Sequence, residues 1–244
     1  MVGIKRKNKL VLIMHVGNIN VFNEILLDYP KFFNNHNIDI YFSCNTVEDK
    51  LILERMFPNE KVLLYKNKGM DIGPFLLTIN DFIKRNVNYD YYIKIHTKSD
   101  KIWRDILIKP IYNKLNYFLT KKEDTVKIYG ASGYTLVSQF SINYPHVLGI
   151  INRNFPEYII QFLNYCSENN TINCNSNHPE WIAGTIFVFN DKYFDLLKNI
   201  KDFDYEYSIL EEGHVFNDQS RANHSWEYLL GYLSNLNNQE VIKL

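Results

Sequence analysis

The sequence predicts an α/β fold with a mainly parallel central sheet covered by helices on both faces. Three observations carry this expectation. Short apolar or β-branched runs alternate with segments of helical periodicity through the first half of the chain. The 244 residues suffice for one large domain with a full hydrophobic core. Polar clusters fall just after predicted strands, where the connecting loops of such a sheet converge on ligands.

The elements follow in order. Leu10 to Val16 is a continuous apolar run and reads as a buried first strand. Val21 to Phe33 has helical spacing, and Ile38 to Phe42 resumes strand character, a βαβ opening. Asp49 to Met56 reads as helix, Lys61 to Tyr65 as a third strand, and Phe75 to Arg85 as a helix after Gly73-Pro74. Tyr91 to Ile95 is a fourth strand, ending at His96-Thr97-Lys98-Ser99-Asp100. In the less regular second half, Lys127 to Tyr134 and Thr185 to Phe189 are expected strands. Asn154 to Asn164, Tyr193 to Ile200 and Trp226 to Leu236 are expected helices. No internal repeat or low-complexity linker divides the chain, so residues 1–244 are expected to form one domain.

Lys+Arg 27 balance Asp+Glu 27, and a formal net charge of zero disfavours a general polyanion or nucleic-acid partner. The 46% hydrophobic and 15% aromatic content excludes intrinsic disorder. Alanine occurs only at Ala131, Ala183 and Ala222 while Asn, Ile, Lys, Tyr and Phe abound, which reads as an AT-rich coding genome. Cys44, Cys166 and Cys174 are an odd set with no C-x-x-C spacing, against a disulfide framework or zinc cluster and in favour of a reducing compartment. Lys5, Arg6, Lys7 and Lys9 precede an apolar run too short for a signal peptide, and no run reaches the ~18 apolar residues that span a bilayer. A cytoplasmic location is expected, with room for a peripheral role at a membrane surface.

Four polar clusters could carry chemistry. Asn67-Lys68-Gly69-Met70-Asp71-Ile72-Gly73-Pro74 puts glycines around an acid at a strand-to-helix junction, allowing close backbone approach to a ligand with Asp71 bonding a hydroxyl or base. The alternative is a turn in which Asp71 or Asn67 caps the helix. Lys94 to Arg104 concentrates donors at a strand end. Lys94 and His96 alternate with Ile93 and Ile95 and so project to one side. Lys98 and Arg104 suit a diphosphate, Thr97 and Ser99 its oxygens, and Asp100 or His96 a divalent metal or a sugar hydroxyl. The alternative is a solvated loop with Asp100 capping the next helix and Trp103 packed at its base. Near Ala183-Gly184-Thr185, Glu180 is a candidate acid or base and Trp181 a sugar-stacking face, against a loop tied down by a buried Trp. Glu211, Glu212, Asp218, Arg221, His224 and Glu227 form the last cluster. His224 and Glu227 lie three apart on a predicted helix face, with caps and surface charges as the plain alternative. No P-loop, H-E-x-x-H or G-x-S-x-G pattern occurs, nor a Cys/His nucleophile arrangement.

As an ordered set these segments resemble the rhamnan synthesis protein F family of glycosyltransferases. The resemblance rests on Asn67-Lys-Gly-Met-Asp71-Ile-Gly-Pro74-Phe75-Leu76, on Lys94-Ile-His96-Thr97-Lys98-Ser99 with Trp103-Arg104, on Ala183-Gly184-Thr185-Ile-Phe187, and on Asp218 with His224 and Glu227. The chain departs from the family pattern at Tyr228, where an Arg is usual, and at Asp218-Gln219-Ser220 in place of D-G-T. Asp218 also stands one residue further from His224 than in the pattern.

The resemblance implies a GT-A-like, Rossmann-type single domain, with a nucleotide-sugar half over about residues 1–105 and an acceptor and catalytic half over about 106–244. It implies inverting transfer of a sugar, a deoxyhexose such as L-rhamnose, from a dTDP-, UDP- or GDP-linked donor to a glycan hydroxyl. Asn67, Lys68, Gly69, Asp71, Lys94, His96, Thr97, Lys98 and Arg104 would then bind donor, and Trp181, Gly184, Thr185, His224 and Glu227 acceptor. Asp218, Glu212, Glu211 and Glu180 are the candidates for the base. His96 to Asp100 occupies the place of a metal-binding D-x-D without supplying one. Lys98 could take over the metal's charge, with Asp100 and His224 as reserve ligands for Mn²⁺ or Mg²⁺. The rival is a catalytically silent glycan- or nucleotide-sugar-binding domain of the same fold. A nucleotidyltransferase is disfavoured because no G-x-G-x-x-(T/S)-R phosphate loop follows the first strand.

Overall fold

The computed structural model describes residues 9–132, 135–137, 144–158, 180–212, 222–235 and 241–244. The apolar run at the start forms β1 (Leu10–Val16), buried along its whole length. It pairs in parallel with β2 (Ile38–Cys44) on one side and, beyond β3 (Lys61–Leu64), which lies parallel on β2, with β4 (Tyr91–His96) on the other. The remaining strands are β5 (Ile128–Gly130), β6 (Thr135–Val137), β7 (Glu180–Ile182), β8 (Phe187–Asn190) and β9 (Ile242–Lys243). The main sheet has the order β3-β2-β1-β4-β8-β5-β9, with β8 antiparallel to both neighbours and β9 parallel to β5. β6 and β7 make a separate antiparallel pair.

Alternation along β1 sends Val11 and Ile13 into one core and Leu10, Leu12 and Met14 into the other. The second core is covered by α1 (Ile19–Asp28), α2 (Val47–Met56), and, past α3 (Ile72–Lys84), by α4 (Lys101–Asn113) and α5 (Leu115–Thr120). The first core is covered by α3, α6 (Tyr144–Asn154), α7 (Asp191–Leu197), α8 (Phe203–Ser208) and α9 (Ala222–Asn235). The expected α/β architecture with helices on both faces is therefore present. Among the described residues no helix is long and apolar enough to cross a membrane.

Local chemistry sets the boundaries. Asn18 Oδ1 accepts from Asn20 N and Val21 N and starts α1, which ends at Asp28 instead of running to Phe33. Pro30 has no N–H to continue it and opens a 3₁₀ turn. The helix expected over Asn154–Asn164 is displaced: α6 precedes it and stops at Asn154, Pro156 begins a 3₁₀ turn, and 159–164 lie outside the described residues. The strand expected over Lys127–Tyr134 is only Ile128–Gly130, and Thr185 belongs to an elbow before β8 instead of to the strand.

Candidate functional site

From β1 the chain builds β2 and β3 on one side, then crosses back to lay β4 on the other. The crevice beyond the carboxyl ends of β1 and β4 is a topological switch point, the usual ligand position in such sheets. The two strand ends are stitched together there. Thr97 Oγ1 accepts hydrogen bonds from Gly17 N (2.8 Å) and Asn18 N (3.1 Å), and Thr97 N donates to His15 O. With Asn18 Oδ1 holding the next N–H groups, the start of α1 is already satisfied from within the chain.

Beside this junction lies a buried polar cluster. Lys94 projects from β4 on the same side as His96, as alternation predicts, with its ammonium between the Phe75 and Phe187 rings at 5.4 and 5.6 Å. Its Nζ donates to Asp71 Oδ2 and to Thr185 O (2.7 Å), and Thr185 Oγ1 donates to the same Asp71 oxygen at 2.5 Å. Asp71 precedes α3 but does not cap it, since its side chain turns to this cluster. Burial opposes its charge, yet His96, Lys94 and the hydrogen bonds from Lys94 and Thr185 outweigh that and hold the carboxyl below the usual range. Burial pushes the Lys94 ammonium down, against the attraction of Asp71.

The Gly184-Thr185 elbow connects the cluster to α9. His96 Nε2 lies 2.8 Å from Gly184 O and donates to it. Burial lowers the His96 pKa to about 4, so the ring is neutral at pH 7 and its Nδ1 is a lone-pair nitrogen 3.6 Å from Asp71 Oδ1. Gly184 N in turn donates to Glu227 Oε1 at 2.9 Å, and Oε2 has no hydrogen bond among the described residues. Burial raises the Glu227 pKa to about 7, with the Gly184 N–H opposing it, Asp71 adding to it, and Lys94 and Lys98 pulling it down. Gly184 at φ +81° is required, because a Cβ there would meet Leu107 Cδ1 at 2.8 Å. Thr185 is β-branched at φ +50°, a conformation costing about 1–2 kcal/mol that Lys94 and Asp71 hold in place.

Lys98 stands at the open side of this cluster. Its ammonium lies 3.2 Å from the centre of the Trp103 ring, and burial lowers its pKa against the attraction of Asp71, Glu227 and Asp100. Arg104 is fully buried and turned from the crevice. Its Nη1 donates to Lys98 O (3.0 Å) and its Nη2 to Glu24 Oε2 (2.5 Å), so it fastens the loop to α1. Asp100 caps α4 through Trp103 N (2.9 Å) and is exposed.

The other candidates have structural partners. Gly69 N donates to Glu211 O, Lys68 Nζ donates to Ser208 O at 2.5 Å, and Lys68 bridges Glu212 across the backbone. Glu211 accepts from Ala222 N (3.0 Å) and Asn223 N (3.3 Å) and so caps α9. Asn67 and Glu212 are exposed. Trp181 packs in a T-shaped contact against Tyr228 at 4.6 Å. His224 is half-buried on α9, one turn before Glu227. Glu180 opens β7, and Asp218 lies outside the described residues, as do Arg221, Cys166 and Cys174.

Sequence reasoning passed over His15, Ser43 and Glu24. His15 and Ser43 lie one residue before the ends of β1 and β2 and pair through Nδ1 and Oγ at 3.1 Å, and burial lowers the His15 pKa to about 4. A polar residue inside an otherwise apolar strand was the available signal. For Glu24 there was none, since it meets Arg104 only through the packing of α1 on α4. No family model matches the chain, and no curated protein matches it either.

Proposed function

We propose that the chain transfers a sugar from a nucleotide diphosphate sugar to a glycan hydroxyl, on a GT-A-like scaffold. The observation that supports this best is that Glu227, bonded to the Gly184 elbow that His96 of β4 holds and with its carboxyl poised near neutrality, lies within electrostatic reach of the Lys98 ammonium beyond the end of β4. Glu227 Oε2 takes the proton of the acceptor hydroxyl as that oxygen bonds to the anomeric carbon. The bond to the diphosphate breaks and its electron pair leaves with the phosphate, where Lys98 meets the developing charge. Gly184 N–H fixes Oε1, and His96 fixes the Gly184 peptide. Glu227, expected to bind acceptor, is thus the proposed base in place of Asp218, Glu212, Glu211 and Glu180, of which Glu211 is committed to its cap.

The donor set does not fit a divalent cation. A lysine occupies the loop, Asp100 is engaged in a cap, and among the described residues no three His, Cys, Asp or Glu side chains converge. No step is assigned to a metal. A second reading, a silent nucleotide-sugar-binding domain, draws support from the many motif residues engaged internally: Lys94 with Asp71, Arg104 with Glu24, Glu211 with α9.

Thermal shift against UDP-, GDP- and dTDP-sugars, followed by transfer assays on glycan acceptors, separates these readings. Wild type binds one donor class and turns over, Lys98→Ala loses roughly 10–100-fold in donor affinity, and Glu227→Gln binds donor but does not transfer. Binding with no turnover in wild type supports the silent domain, and no stabilisation by any donor refutes both.

A further inference from the structure

At the outer edge of the sheet α2 carries an apolar surface that the core leaves unused. Only Leu53 of its ten residues is buried. Val47 is 54% exposed, Leu51 57%, Ile52 39% and Met56 40%, and Leu64, at the end of the adjoining β3, is 42% exposed. One exposed aliphatic side chain needs no explanation, whereas five on a single helix and its neighbouring strand end mark a contact surface. Among the described residues β3 also pairs with β2 alone, which leaves its outer backbone edge unpaired there.

The charges on this face are arranged with a symmetry. Lys50 and Glu54 satisfy each other within the helix at 3.5 Å. Glu48 and Arg55, both exposed, have no ion-pair partner among the described residues. They stand two turns apart on the side that carries Leu51. We propose that a second copy of this chain docks here, about a two-fold axis that sets α2 antiparallel to its counterpart. An axis midway between Leu51 and Ile52 places Leu51 against the partner's Ile52, Val47 against the partner's Met56, and Glu48 against the partner's Arg55. A two-fold axis makes each contact twice, which is what self-complementary apolar and charged positions fit. A stable interface needs roughly 800 Å² per partner. A ten-residue helix alone is too small for that, which brings Leu64 and the unpaired edge of β3 into the same contact.

Sedimentation of the full chain over a range of concentrations tests the proposal, with circular dichroism melts confirming that each variant is folded. A reversible dimer is expected, and Leu51→Glu should sediment as a monomer. Glu48→Arg and Arg55→Glu should each weaken association by roughly tenfold, and the charge-swapped double variant should recover it. A wild type that is monomeric at every concentration overturns the proposal and leaves the face to a different partner. A dimer indifferent to Leu51→Glu, or a double variant no tighter than the singles, overturns it as well.

Discussion

Replacing Asp71 by Asn keeps the shape of the buried cluster and removes its negative charge. Lys94, 2% exposed, would then keep the Thr185 carbonyl and the attraction of Glu227 but no carboxylate bonded to its ammonium. Breaking a buried pair from one side costs about 3–5 kcal/mol. The structure sets a ceiling on that figure, because an uncompensated Lys94 can shed its proton. Holding a lysine of ordinary pKa near 10.4 neutral at pH 7 costs about 5 kcal/mol, at 1.36 kcal/mol per unit. If the ceiling applies, the folded variant lacks a proton that the unfolded chain keeps, so its stability must rise with pH up to about 10. In wild type Asp71 supports the Lys94 charge against burial, so the slope from this group is smaller. Urea unfolding of both proteins at pH 7 and pH 9 measures the two quantities. Asp71→Asn combined with Lys94→Met should recover much of the loss, since the apolar pair leaves no charge uncompensated. A single-variant cost below about 1 kcal/mol, or one that does not shrink with pH, refutes the idea that the cluster is held by a charge pair.

Two further outcomes follow from the same geometry. The Glu227 pKa is raised to about 7, so its contribution to stability is present in full below the unfolded carboxyl value and is lost as pH rises through 7. Relative to wild type, Glu227→Gln should therefore gain on the order of 3 kcal/mol between pH 4 and 8, read from urea midpoints, and a pH-independent difference counts against a perturbed carboxyl. Gly73→Ala would drive a Cβ into the Lys68 carbonyl oxygen, a backbone atom that cannot yield without reshaping the 67–71 turn. The expected loss exceeds about 2 kcal/mol, and a melting temperature equal to wild type contradicts the close approach.

Much of the first half was legible because its signals are local. Leu10–Val16 is apolar at every position but His15 and became β1 with those bounds, and Tyr91–Ile95 became β4 with one residue added. Alternation alone placed Lys94 and His96 on one face. The helix ends were missed where one residue outvoted the periodicity, at Pro30 and Pro156. The elbow at Gly184-Thr185 reads as strand by composition, and its positive φ values are imposed by contacts from β4, α3 and α9.

The site divides in the same way. The sequence by itself determined where the polar residues stand along the elements: an acid at Asp71 before α3, Lys94 and His96 on one side of β4, Lys98 just beyond it, and an acid on the last helix. Spacing along the chain dictates all of these. Only the tertiary structure decided which charges neutralise one another. Asp71 was a candidate cap and is the counter-ion of Lys94. Arg104 was a candidate for diphosphate and is bound to Glu24. Glu227 was a candidate acceptor ligand and is, among the described residues, the carboxylate whose pKa burial lifts to about 7. Pairing and burial depend on distances between segments far apart in the chain, and those distances are set by how the helices pack on the sheet, which no local pattern encodes.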